Sequence, residues 1–343
     1  MFPFLIPGCR SLNTMKTLNT MNTLKRRTLI TGAAGALLPA WGLAQTFPSK
    51  PIRIVVPFGA GGIADLTARI VAKKLAENLH QGVIIENKPG AGGVVAGDMV
   101  AKAAPDGYTL LLMSNGTAVS SGLFQTLPFD TQKDFASVGT LGIFDLAVLT
   151  TPGSAFKSMQ DLLAYAKSNP GKLNVATINV GSTQNLAAEL LKISAGVDFQ
   201  IVPFNGSPAV ITALRGGQVE AVVEILGPML PHIASKAVQP LAVMGAQRAV
   251  SLPAVPTLAQ SGVPGFDVAS WNALAAPAKT PAPVLALLNR EVNKALADPG
   301  VRQQLAGINV TPRPGTPEQL RDLLASEIRR WSDVIVRAKV PRQ

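Results

Sequence analysis

The chain has 343 residues and a mass of 35.7 kDa, enough for two domains of ordinary size, each with its own buried core. Apolar residues make up 47%, charged residues 15% and aromatics 5%, with 31 Gly and 27 Pro; this excludes a disordered chain or a long coiled coil and points to a globular protein rich in turns. The net charge of +11 falls to +6 once residues 1–44 are set aside, because five basic residues and no acid lie there, and the remaining 26 basic and 20 acidic residues are interspersed; no basic patch tracks a phosphate backbone, so nucleic acid is not an expected partner.

The first legible element is a leader. Lys25-Arg26-Arg27 precedes an apolar, small-residue stretch from Thr28 to Leu43, with Gly42 and Ala44 placed as small cleavage-site residues, the order of an export signal. The stretch is shorter than the roughly 20 apolar residues of a spanning helix, and no later segment reaches that length, so a water-soluble periplasmic protein beginning near Gln45 is expected. Arg26-Arg27-Thr28-Leu29-Ile30 loosely resembles a twin-arginine signal, while paired basic residues equally suit an ordinary Sec leader; both routes stay open. Met15 and Met21 precede a more usual leader than Met1, so residues 1–20 read as a possible overextended start. The single cysteine, Cys9, falls inside the leader, which leaves the mature chain without disulfides, thiol catalysis or cysteine metal sites.

The β-branched run Ile52-Arg53-Ile54-Val55-Val56 predicts a strand, Gly59–Gly62 a glycine loop, and Leu66, Ile70, Val71, Leu75 and Leu79 one face of a helix. A strand at Val83-Ile84-Ile85, a helix from Val94 to Ala103 and a strand from Tyr108 to Met113 complete a βαβαβ order, and with it an α/β class and a parallel sheet covered by helices. A second α/β set begins near Leu146-Ala147-Val148-Leu149. It continues with a helix at 159–168, strands at 174–178, 200–203, 221–225 and 241–244, and helices at 185–195 and 209–216. From Ser270 the chain is expected to return to helices, clearest at 283–297 and 317–338. The expected organisation is an export signal at 1–44, a first lobe at 45–149, a second lobe at 150–269, and a return to the first lobe at 270–343.

Four loops follow a strand and open a helix. At Gly59–Gly62 backbone N–H groups and the positive helix end would favour an anion, although a glycine turn required only by geometry fits equally. The loop lacks the spacing and the Lys-Ser/Thr pair of a phosphate loop. Asp65 falls in the first turn of the helix, where an acid supports the macrodipole rather than meeting an anion directly. Gly181-Ser182-Thr183-Gln184 either caps its own helix or donates to a ligand. Ser114-Asn115-Gly116-Thr117 and Phe204-Asn205-Gly206-Ser207 repeat the arrangement, and together the loops suggest a polar cleft. Gly90-Ala91-Gly92-Gly93 fails the dinucleotide pattern at Val95 and reads as a structural turn. Gly-x-Ser-x-Gly and His-Glu-x-x-His are absent, and His80 and His232 read as structural, so no catalytic residue, cofactor or metal is expected.

Several strings recur in family order over nearly all of residues 45–343: Lys50-Pro51-Ile52-Arg53-Ile54-Val55-Val56-Pro57-Phe58, Gly61-Gly62-x-x-Asp65, Glu86-Asn87-Lys88-Pro89-Gly90, Pro105-Asp106-Gly107-Tyr108, Asn169-Pro170-Gly171-Lys172, Leu252-Pro253-x-Val255-Pro256-Thr257, Gly262-Val263-Pro264-Gly265-Phe266 and Trp271. In these the chain resembles the substrate-binding proteins of tripartite tricarboxylate transporters, the Bug family. The resemblance implies a two-lobed periplasmic binding protein whose lobes close on a small carboxylate-bearing solute and deliver it to membrane transporter subunits. It also implies a ligand site at Phe58, Gly61, Gly62, Asp65, Ser114, Asn115, Gly116, Thr117, Gly181, Ser182, Thr183, Gln184, Phe204, Asn205 and Gly206, in a protein expected to act as a monomer. Asn185 stands where the family commonly has His, and Phe204-Asn205 where Tyr-Lys is common. A phenol hydroxyl and a cation are therefore missing from the second-lobe wall, which argues against a multiply charged tricarboxylate. A ligand-sensing partner of a membrane signalling protein would use the same cleft, and an exported hydrolase would need a nucleophile and base that the sequence does not supply.

Overall fold

The computed structural model describes residues 47–343; the export signal and its cleavage site lie outside the described residues. Strand β1 (Ile52–Val56) buries Ile52, Ile54, Val55 and Val56, and runs parallel to β2 (Val83–Asn87) on one side and β3 (Thr109–Ser114) on the other. A run buried on both faces is what a parallel sheet demands. Helix α1 (Ile63–Leu79) connects β1 to β2 and buries Ile63, Ala64, Ala68, Val71, Ala72 and Leu75 at helical spacing. Helix α2 (Val94–Ala101) is entered through Gly92 and Gly93 at φ +61° and +97°, a backbone that L side chains rarely adopt, so the Gly90–Gly93 segment is a turn. Helix α3 (Asn115–Leu123) starts where β3 ends, with Ser114 serving both.

Strand β4 (Phe135–Thr150) is much longer than the apolar stretch at 146–149 suggests. After it come α4 (Met159–Ser168), β5 (Asn174–Ile178), α5 (Thr183–Ala195), β6 (Gln200–Phe204), α6 (Ser207–Arg215), β7 (Ala221–Ile225), α7 (Leu226–Ala234) and β8 (Gln239–Val243). Helix α7 escapes the sequence pattern because it holds Pro228 and Pro231, residues that ordinarily stop a helix. Beyond Ser270 the expectation of helices alone is wrong. Strand β9 (Ala269–Pro277) comes first, and α9 (Pro299–Gly307) and β10 (Val310–Pro312) intervene between α8 (Ala282–Ala297) and α10 (Pro317–Arg337). The alanine-rich run of β9 has weak strand propensity of its own; its antiparallel ladders with β3 and β4 decide its conformation.

The sheet order is β2-β1-β3-β9-β4-β7-β5-β6, parallel within β2-β1-β3 and within β6-β5-β7 and antiparallel across the centre. Within β4 the pairing changes partners. Residues 135–145 pair with β9, and 146–149 pair with β7. A single strand thus carries the chain from one sheet to the other. One face of the first sheet buries α1, α8 and α9, and one face of the second buries α6 and α7. A third core, with Trp331 fully buried, joins α3, α5 and α10 across both halves.

Candidate functional site

Parallel strands deliver their C-terminal ends to one edge of a sheet, and in such sheets ligands lie in the crevice outside those ends. Here α1, α3, α5, α6 and α7 all begin just beyond β1, β3, β5, β6 and β7. The four loops picked out from the sequence therefore sit at strand ends.

In the first lobe, Gly61 turns at φ +83° and its N–H donates to Asp65 Oδ2 at 2.9 Å. Asp65 is 2% exposed and also accepts from Arg69 Nε and from Asn87 Nδ2, each at 2.9 Å. Burial alone would raise the Asp65 carboxyl, but the bonds from Arg69, Gly61 and Asn87 outweigh it and hold the carboxyl below its usual range. Asn87 in turn donates to the Phe58 carbonyl at 3.0 Å, so Asp65 fixes the loop from behind, as its place in the helix suggests. The Phe58 ring is half exposed, and a Cβ on Gly116 would stand 3.6 Å from its Cζ, which sets the first and second loops of this lobe against each other.

The helix starts differ in how their N–H groups are satisfied. Helix α3 has a capping box: Ser114 Oγ accepts from Gly116 N–H, and Thr117 Oγ1 accepts from Ser114 N–H. Helix α5 is capped by Ser182, whose Oγ accepts from Asn185 N–H at 3.1 Å and donates to the Ile178 carbonyl at 3.1 Å, while Asn185 Oδ1 takes the Gly181 N–H. Ser182 thus caps its own helix, the first of the two readings its sequence allows. Helices α1 and α6 begin instead at Gly62 and Gly206 with no side-chain cap, so N–H groups of their first turns keep no side-chain acceptor.

Two of the loops meet. Asn115, fully buried, donates from Nδ2 to Thr183 Oγ1 at 3.2 Å and accepts at Oδ1 from Trp331 Nε1 at 2.7 Å. Nearby, a Cβ on Gly181, at φ +79°, would overlap Leu123 of α3. Phe204, Asn205 and Gly206 form no hydrogen bond to the first-lobe loops among the described residues; Asn205 is exposed, and the Phe204 carbonyl accepts from Asn179 N–H at 3.1 Å.

The sequence reading missed Glu224, the last but one residue of β7. It is fully buried; its Oε2 accepts from Gln184 Nε2 at 3.2 Å and from Ile225 N–H at 3.0 Å, and the Ser207 side chain lies beside it. Burial pushes its carboxyl up, with these three neighbours opposing only in part. The signal for it was a lone acid closing the apolar run Ala221-Val222-Val223. Trp331 was missed because its bond to Asn115 spans a long stretch of sequence, while its other acceptor, Glu327 Oε2 at 2.7 Å, lies one helical turn away.

His80 and His232 stand at the C-terminal ends of α1 and α7, away from the helix starts. Among the described residues no cluster of acids and histidines could hold a metal ion, and no helix is long and apolar enough to cross a membrane. A cavity of about 910 Å³ lies elsewhere, between Asp145, Gly245, Asp267, Arg302 and Arg313, and none of the loop residues lines it. Its acids and arginines are mixed, whereas the helix starts converge donors of one kind.

The family of tripartite tricarboxylate transporter receptors matches residues 67–340. The protein BugT of Bordetella pertussis is 37% identical over 294 residues, which cover 85% of this chain and 90% of that one. Among solved structures, a Rhodopseudomonas palustris protein with adipate is 32% identical, with a TM-score of 0.79 over 85% of this chain and 98% of that one. MatC from the same organism, with bound malate, is 35% identical, with a TM-score of 0.75 over 84% of this chain and 100% of that one. The fold of the strands and the order of the motifs agree with these similarities, and the chain belongs to the tripartite tricarboxylate transporter receptor family.

Proposed function

We infer that this chain is an extracytoplasmic solute-binding protein that captures a small carboxylate and delivers it to the membrane subunits of a tripartite tricarboxylate-type transporter, catalysing no reaction itself. The observation that carries the reading is the uncapped start of α1 at Gly62, at the strand-end edge where α3 and α5 also begin. Unsatisfied N–H groups at the positive end of a 17-residue helix favour a carboxylate. The candidate loops contain no Lys or Arg, and Arg69 is occupied by Asp65, so anchoring rests on N–H and hydroxyl donors. Hydrogen bonds to a charged group contribute about 1.5–3 kcal/mol each, so a few suffice for micromolar capture. The neighbours with adipate and with malate are consistent with this class of solute.

The site on this reading comprises the Phe58–Asp65 loop and α1 start, Thr117, Thr183, Gln184 and the Phe204–Gly206 loop. Asn115 and Ser182 hold the walls. The lobes are residues 45–149 with 270–343, and 150–269, hinged at β4; the switch of partners within that strand supports the division. The protein acts as a monomer in the periplasm, reached through the export signal at residues 1–44.

A thermal-shift screen of the mature protein against a carboxylate library tests the reading, since a ligand that binds only the native state raises the melting temperature by mass action. A set of carboxylates that raises it, with their amide analogues inert, is the expected result. Amides that act as well as the acids would remove the carboxylate assignment. Intact-mass measurement of exported protein should show a start near Gln45.

A further inference from the structure

Glu224 is an unusual residue to find at the strand-end edge, two residues before α7. Its Oε2 holds Gln184 and the Ile225 N–H, but Oε1 is buried with no hydrogen-bond partner. Leaving a buried acceptor unpaired is costly, and native proteins rarely do so without a use for it. A second orphan lies in β9: Asn272 is fully buried, and both its Oδ1 and its Nδ2 lack partners.

Side chains alternate along a strand. Leu274 and Ala276 of β9 face the core under α1, so Asn272 does too, one position from the register partner Ala273 of Met113 and directly opposite Ser114. Val222 of β7 faces the core under α6 and α7, which puts Glu224 on that face. The two faces adjoin where α1 and α7 begin, because a Cβ on Gly227 would come within 3.4 Å of Ile63 and overlap the Ile308 carbonyl. Both orphans therefore lie at the strand-end edge where the uncapped α1 starts.

Among the described residues no cation answers Glu224. The elements packed on β7 carry their charges elsewhere. On α5, Lys192 pairs with Asp198 at 3.0 Å, and Glu189 lies in the field of those two. Arg215 and His232 are in the last turns of α6 and α7, and Asp145 of β4 is held by Asn309 at 3.4 Å. Only the neutral groups of Gln184, Ser207 and Ile225 surround the carboxyl.

We propose that Glu224 selects the ligand, its free oxygen receiving a protonated amine, so that the captured solute carries an ammonium group as well as its carboxylate. This rests on the solute-capture reading above and names the chemistry at the second-lobe end of the same site. A second carboxylate placed there would meet an acid and no cation, whereas an ammonium supplies both the missing donors and the missing charge. The absence of a cation at Phe204-Asn205, which disfavours a polyanionic ligand, fits the same chemistry. Burial favours the protonated carboxyl while the amine pairs with the ionised one, so binding is coupled to proton release and affinity rises with pH.

The test uses the mature protein and matched pairs of probes: L-alanine with propionate, 4-aminobutyrate with butyrate, and a wider library built the same way, each amino acid beside its des-amino acid. The amine-bearing member should bind about tenfold or more tightly, with affinity rising as the pH is raised and net proton release seen by calorimetry in buffers of different ionisation enthalpy. Glu224→Gln, which keeps the shape and an acceptor oxygen, should erase the preference and the proton release, bringing the two members of each pair to similar affinity; its circular dichroism and melting temperature report folding. Equal or tighter binding of the des-amino acids, with Glu224→Gln neutral, overturns the inference and leaves solute capture standing. If no carboxylate of either kind binds, the solute-capture reading fails, and the inference with it.

Discussion

Asp65 and Glu224 are both buried acids at the strand-end edge, one in each lobe, and their surroundings act in opposite directions. Asp65 sits in the first turn of α1 and is fully answered from within the protein by Arg69, Asn87 and the Gly61 N–H. Glu224, last but one in β7, is answered on one oxygen only, and its partners are neutral. The first carboxyl is held low and ionised; the second is pushed up. A charge satisfied internally rigidifies the loop that carries it, whereas a group left half-satisfied is available to something arriving from outside. Asp65 thus serves as scaffold for its loop, whereas Glu224 keeps one oxygen unanswered.

The largest effect expected from breaking this contrast is at Asp65. Asp65→Ala leaves Arg69, Asn87 and the Gly61 N–H without their acceptor. The loss should be about 2–3 kcal/mol, below the value for a fully buried pair because Arg69 is half exposed to water. Chemical denaturation reads it, and a midpoint unchanged from wild type would mean that the loop does not need the carboxyl. The wild-type contribution has a defined pH window. A carboxyl lowered in the folded state stabilises fully above its unfolded pKa of about 3.9, and that stability disappears as pH falls through the folded value.

Next in size is the joint between the lobes. Trp331→Phe keeps most of the buried ring but removes the N–H that Asn115 Oδ1 and Glu327 Oε2 share, freeing Asn115 from the orientation in which it reaches Thr183. A cost of about 1–2 kcal/mol is expected for a buried acceptor left without its donor. The variant should also show a larger radius of gyration by solution scattering without ligand, and recover the wild-type value when ligand closes the lobes. Identical scattering curves in both states would speak against Asn115 as an interlobe tie.

How much of this was legible in the sequence follows from range. The alternation of strands, glycine loops and helices through Leu123, and the four loops that open helices, could be read because each depends on neighbours a few residues away. Strand β9 could not, since Ala-rich Ala269–Pro277 is a strand only because β3 and β4 flank it. The first-lobe site was readable as far as Asp65 and Gly61, whose bond spans four residues; the partners Asn87 and Arg69 emerge only in the fold. In the second lobe, Ser182 was named as a possible donor, but whether it serves the helix or a ligand depends on the Ile178 carbonyl, which no local pattern places.

Ser182 and Thr183 therefore separate cleanly, with smaller effects than the two above. Ser182→Ala should cost about 1 kcal/mol of stability as a lost cap while leaving affinity nearly unchanged. Thr183→Ala should weaken carboxylate binding about tenfold, or about 1.4 kcal/mol, because the Thr183 hydroxyl accepts from Asn115 and keeps its own proton to donate. Calorimetry beside thermal melts distinguishes them; an affinity loss in Ser182→Ala equal to that in Thr183→Ala would return Ser182 to the ligand-contacting set.

The smallest effect expected in the free protein is at Glu224, and its sign is what matters. A carboxyl raised by burial contributes most when protonated: relative to the unfolded chain it costs nothing below the unfolded pKa of about 4.3, and it subtracts stability as pH rises through the higher folded value. Glu224→Gln removes that titration while keeping a side chain that fits among Gln184, Ser207 and Ile225. The variant should match wild type in mild acid and become slightly more stable than wild type toward alkaline pH, so that the two melting curves diverge with pH in the sense opposite to those of Asp65→Ala and wild type. Melting temperatures of the ligand-free proteins measured across that range provide the check. If Glu224→Gln lost stability at high pH, the carboxylate would be a favourable internal group like Asp65, and the contrast between the two lobes would collapse.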